Sequence, residues 1–85
     1  MRTLKESKSV YTKIKNAMPY NNEVIIKINE DKTTFNKTYD FKVVNGEMGE
    51  EDYEIETVAS TDNINVLNNV LRLLLNCNYF VNFEV

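Results

Sequence analysis

The chain has 85 residues, a net charge of −3, no histidine, no tryptophan and a single cysteine. A chain this short buries only ~60–65% of the surface its unfolded form exposes, so residues 1–85 are read as one small domain of modest stability. Its 42% apolar and 27% charged residues exclude collagen-like, coiled-coil and strongly disordered chains. Cys77 has no partner for an internal disulfide, which fits a reducing compartment, and the lack of histidine removes most metal sites and nucleophile–base pairs. The residues Met1–Glu6 lack the apolar stretch of a secretory signal, and no apolar run reaches the roughly 18 residues of a membrane span, so a cytoplasmic protein without membrane contact is expected.

Residues Thr3 to Met18 read as a helix. Thr3-Leu4-Lys5-Glu6 has the capping-box pattern, and Leu4, Tyr11, Ile14 and Met18 make an apolar stripe that Val10 and Ala17 widen. Lys5, Lys8, Lys13 and Lys15 fall on the other side, and Pro19 ends the helix. Glu23 to Asn29 reads as a strand with Val24, Ile26 and Ile28 on one face. After a turn at Glu30-Asp31-Lys32, a second strand is expected over Thr33 to Val44, with Phe35, Tyr39, Phe41 and Val43 pointing one way. The short polar link between them requires an antiparallel hairpin.

Asn45-Gly46 is a turn signal. A third strand is expected over Tyr53 to Ala59, with Tyr53, Ile55, Thr57 and Ala59 on one side and Glu54 and Glu56 towards solvent. A second helix begins near Ser60-Thr61-Asp62, any of which can cap it, and carries Ile64, Leu67, Val70, Leu71, Leu74 and Leu75 on a wide apolar face. Tyr79 to Val85 alternates as a short terminal strand, with continued helix through Phe80 as the competing reading. The order α-β-β-β-α(-β) gives an α+β fold: an antiparallel three-stranded sheet, with a fourth C-terminal strand where residues 79–85 are extended, and two helices packed on one face.

The charges are unevenly spread. Residues 1–42 hold nine cations and five carboxylates, whereas residues 43–85 hold one cation, Arg72, and eight carboxylates. Glu47, Glu50, Glu51, Asp52, Glu54 and Glu56 fall within ten positions with no cation among them. Such a run serves solubility in many small domains, and it also suits attraction to a basic partner. Acids two apart on a strand sit ~6.5–7 Å apart, close to the phosphate spacing of a nucleic-acid strand. The run lacks the ligand order of a calcium loop, so no metal and no cofactor are expected. Gly46-Glu47-Met48-Gly49 is not a phosphate loop, Cys77 reads as a small core residue, and no catalytic residues are assigned; the chain is not expected to be an enzyme. Tyr20, between Pro19 and Asn21, is an exposed-tyrosine candidate for an interface.

In its αβββα order the chain resembles double-stranded-RNA-binding domains. Their phosphate contacts come from a lysine-rich start to the second helix, where this chain has Asp62-Asn63-Ile64-Asn65. Binding of nucleic acid through the lysine-rich first helix is therefore the third reading. In size, element order, acidity at Gly46–Glu56 and absence of catalytic residues, the chain resembles small anti-CRISPR and host-takeover proteins of phages and mobile elements. That resemblance implies a stoichiometric inhibitor in the host cytoplasm. Glu47, Glu50, Glu51, Asp52, Glu54, Glu56 and Tyr20 would bind a host protein with a basic surface, such as a CRISPR effector nuclease. The second reading is a homo-oligomeric structural or accessory protein, paired as a homodimer through the C-terminal strand.

Overall fold

A computed structural model describes residues 2–46 and 54–85. The elements are α1 (Arg2–Ala17), a 3-10 turn (Tyr20–Asn22), β1 (Glu23–Glu30), β2 (Lys37–Asn45), β3 (Glu54–Thr61), α2 (Ile64–Asn76) and β4 (Phe80–Glu84). The strands form one sheet in the order β3-β2-β1-β4. β1 pairs antiparallel with β2, and β2 with β3, as the short links require. β4 is the fourth strand and lies parallel to β1, with Val24 beside Val81 and Ile26 beside Phe83. The sheet is therefore mixed rather than purely antiparallel. The crossover through α2 makes the parallel return possible, because it carries the chain over the sheet from one edge to the other.

Strand geometry at 79–85 is fixed by how α2 ends. Asn78 takes φ 64, the amide of Tyr79 donates to the Leu74 carbonyl at 3.0 Å, and that of Asn78 donates to Leu75 at 3.2 Å. This is the Schellman arrangement, with asparagine in the left-handed position that glycine usually fills. It turns the chain sharply out of the helix, so continuation through Phe80 is excluded.

The core lies between the sheet and the two helices. Val24, Ile26, Phe41 and Val43 are fully buried from the sheet side, and Val10, Ile14, Val66, Leu67, Val70 and Leu74 meet them from α1 and α2. Two members of the expected α1 stripe are not part of this core. Leu4 is 51% exposed and Met18 79%, while Ser7 is 1% exposed. The buried line runs Ser7, Val10, Ile14 because α1 packs against α2 through a polar contact. Ser7 Oγ donates to the Thr3 carbonyl at 2.7 Å and accepts from Asn69 Nδ2 at 3.2 Å. A small hydroxyl lets the two helices approach, and its hydrogen bonds offset the cost of its burial.

The capping-box residues also take another role. The helix begins at Arg2, so Thr3 lies inside it. Thr3 Oγ1 accepts from Asn63 Nδ2 at 3.4 Å, and Glu6 Oε1 accepts from the Thr61 hydroxyl at 3.0 Å. Thr61 in turn accepts the Asn63 amide at 3.2 Å. The cap of α2 is Asn63 itself, which accepts from the Asn65 amide at 2.9 Å, so none of Ser60, Thr61 and Asp62 is the cap. The first turn of α1 thus clasps the entry to α2.

The second strand is shorter than its alternation suggests. Phe35 lies in the β1–β2 loop at φ 63 and is 73% exposed, not on the core face. The Asp31 carboxylate accepts the amides of Thr33 and Thr34, and the Phe35 amide donates to the Asp31 carbonyl at 2.6 Å. This closed loop takes up the residues before Lys37. The amides of Thr33 and Thr34 hold the Asp31 carboxyl below its ordinary pKa of 3.8.

The two phenylalanines should respond oppositely to substitution. Phe41→Ala removes a fully buried side chain and is expected to cost ~3–5 kcal/mol, enough to unfold a domain of this size. Phe35→Gly relieves a left-handed conformation and is expected to stabilise the fold by up to ~1 kcal/mol. Urea denaturation of both variants checks this; a large loss with Phe35→Gly would place that ring back in the core.

Candidate functional site

The acidic residues that the structure describes are set by an irregularity in β3. The β2–β3 register runs Tyr39 to Thr61, Asp40 to Ser60 and Phe41 to Ala59, then jumps to Lys42 opposite Thr57, leaving Val58 as the extra residue of a β-bulge. Beyond the bulge Glu56 lies opposite Val43, Ile55 opposite Val44 and Glu54 opposite Asn45. Cross-strand partners share a face, and Val43 belongs to the core. Glu54 and Glu56 are therefore on the helix side of the sheet, while Ile55 and Thr57 join Lys42 on the open side. This reverses the expected facing of β3. A strand without the bulge would have put Ile55 and Thr57 with Ala59 over the core.

Glu54 and Glu56 remain exposed nonetheless. They share one side of β3, the separation expected being ~6.5–7 Å for residues two apart. Among the described residues the one ion pair is Lys27–Glu84, so no described cation neutralises either of them. Glu47, Glu50, Glu51 and Asp52, and with them Tyr53, lie outside the described residues. Tyr20 is in the 3-10 turn, which contacts β2, but its side chain is not among those described. The start of β1, the end of β2 and the start of β3 are paired or adjacent, since Val24 faces Val43 and Asn45 faces Glu54. The backbone at Tyr20 and the carboxylates of Glu54 and Glu56 are thus brought to the same end of the sheet.

The open side of the sheet binds its own polar groups. Asp40 accepts from Ser60 on β3 at 2.6 Å and from Asn29 on β1 at 2.9 Å. Asn82 on β4 donates to Glu23 at 3.0 Å, and Lys27 donates to Glu84 at 3.1 Å. Side chains of all four strands are linked across this face. Lys5, Lys8, Lys13 and Lys15 on α1 are exposed, as their positions imply. Between α1 and α2 lies a groove of about 190 Å³ whose walls include Leu4, Leu73, Lys8 and Arg72. No group of three metal-ligating side chains occurs among the described residues, and no described helix is long and apolar enough to cross a membrane.

Cys77 is exposed at the end of α2 rather than buried in the core. Its sulfur accepts the Tyr11 hydroxyl at 3.0 Å. That hydrogen bond, with partial burial, pushes the phenol of Tyr11 up to about 12. Sequence reasoning missed the contact because 66 residues separate the partners. On the edge strand that the sequence reading offered for self-pairing, Phe80 is 68% exposed on the open side opposite Glu23, and Phe83 is 52% exposed beside Ile26.

Comparison with protein-family models, characterised proteins and solved structures finds no match to this chain.

Two measurements test these electrostatics. The Lys27 ammonium beside Glu84, with Lys42 nearby, holds the Glu84 carboxyl below its ordinary 4.5. A depressed carboxylate stabilises the fold fully above its unfolded pKa, and that contribution is lost as pH falls through the lowered native value. Glu84→Gln is therefore expected to flatten the fall in urea midpoint below pH 4.5, and an unchanged acid limb contradicts the pair. In an alkaline titration followed by phenolate absorbance, the step near 12 should vanish in Tyr11→Phe. The hydrogen bond stabilises the fold below the ordinary tyrosine value of 10 and is lost as pH rises towards 12.

Proposed function

We propose that this chain is a non-enzymatic protein-binding module that presents the acidic end of its sheet to a basic, nucleic-acid-binding surface of another protein. The observation that carries this reading is the pair Glu54 and Glu56: exposed, on one side of an edge strand, and without a cationic partner among the described residues. The four further acids at 47, 50, 51 and 52 adjoin them in the chain, and Tyr20 lies at the same end of the sheet.

The chemistry is that of a phosphate substitute. Two carboxylates at roughly the spacing of adjacent phosphates can occupy lysine and arginine side chains that would otherwise hold a nucleic-acid backbone. Long-range attraction speeds such an encounter and makes it sensitive to salt. The resemblance to phage inhibitors names the kind of target, a CRISPR effector nuclease or another nucleic-acid-handling enzyme.

The test is capture from a bacterial lysate with the wild-type chain and with Glu54→Lys/Glu56→Lys in parallel. Both positions are exposed, so the variant should fold, as circular dichroism can verify. The expected result is a nucleic-acid-binding protein retained by the wild type, released by duplex DNA and by moderate salt, and absent from the variant. Equal retention by both chains would end the decoy reading.

A further inference from the structure

The two edges of the sheet are built differently. β3 forms one edge, and it carries the bulge at Val58 and the carboxylates of Glu54 and Glu56. Bulges and edge charges are the devices that keep an exposed strand from pairing with another. β4 forms the opposite edge and has neither. It contains no proline, no lysine and no register shift, and its one charge, Glu84, is occupied by Lys27. Phe80, Phe83 and Val85 are 68%, 52% and 97% exposed along it. Among the described residues no strand pairs with its outer side, so a row of backbone amides and carbonyls is open there.

We propose that β4 is a homodimerisation strand, and that a second copy of this chain adds its own β4 antiparallel across a two-fold axis at Asn82. The strand's pattern selects this partner. In the register that pairs all of Phe80–Glu84, Asn82 meets Asn82, Val81 meets Phe83 and Phe80 meets Glu84. Val81 and Phe83 lie on the helix side, beside Val24 and Ile26, so their contact extends the core across the axis. No carboxylate faces another carboxylate. The sheet would grow to eight strands and end at two β3 edges that are bulged and acidic, so pairing stops at the dimer. A strand carrying its charge at the centre would oppose itself in this register, and one with edge lysines would be guarded.

Phe80 gives a test of both the interface and its register, because it is exposed and its substitution should spare the fold. Phe80→Glu sets two carboxylate pairs face to face across the axis, and Phe80→Lys sets two lysines against Glu84. Sedimentation equilibrium of the full chain over a range of concentrations is the readout, with circular dichroism confirming that each variant is folded. The wild type should reach the mass of two copies. Phe80→Glu should weaken association roughly two- to thirtyfold, and Phe80→Lys should hold it or tighten it. A wild type that stays monomeric throughout, a mass that grows past two copies, or equal weakening by both variants overturns the proposal. None of these outcomes depends on Glu54 or Glu56, so it stands or falls apart from the acidic end.

Discussion

One extra residue, Val58, decides how this molecule meets its surroundings. The bulge lets Ala59 and Thr61 keep their places over the core opposite Phe41 and Tyr39, while it rotates the start of β3 by one side chain. Without it Ile55 and Thr57 would face the helices, and Glu54 and Glu56 would lie on the open side with Lys42. There Lys42 on the neighbouring strand would share their side of the sheet. With it the acids stand exposed on the helix side of the sheet, and neither forms an ion pair among the described residues. The same bulge breaks the regular edge of β3. A local backbone irregularity therefore separates the charges of the two halves of the chain and leaves the molecule with one guarded edge and one open one.

Most of the fold was legible because its hydrophobic periods are long. Val24-Ile25-Ile26 with alternating neighbours, Tyr39-Asp40-Phe41-Lys42-Val43, and the leucine-rich second helix each repeat often enough to fix their element and buried side. The parts that misled were those where a polar side chain replaced an apolar one in the packing, or a loop captured a hydrophobic residue. Ser7 is buried because Asn69, 62 residues away, completes its hydrogen bonds, and nothing local to Ser7 announces that. Phe35 fits a strand pattern only if Lys37 is passed over, and Asp31 closes a loop there instead. Thr3 and Glu6 carry a real signal for a helix start, yet their side chains serve the start of a different helix.

The acidic site was legible as composition and not as geometry. Six carboxylates within ten positions stand out in the sequence, but their facing depends on the bulge, and bulges leave no period to read. Nothing in the spacing of Glu54, Ile55, Glu56 and Thr57 distinguishes a strand that points its acids away from the helices from one that points them towards the helix side. The decision rests on Val43, whose burial in the core identifies the side on which its partner Glu56 must lie.

The parallel return of β4 ties these features together. It places β4 beside β1, and so puts the less charged edge of the sheet as far as the sheet allows from the more charged one. Lys27 and Glu84 link β1 to β4, and Glu23 and Asn82 repeat the link toward the opposite end of the strand pair. These contacts use up the polar side chains of β4 on the open side and leave its phenylalanines without a partner. In the proposed dimer the rings would supply apolar area, and the polar side chains of β4 on the open side already have partners within their own sheet, so none is left unpaired when it is covered.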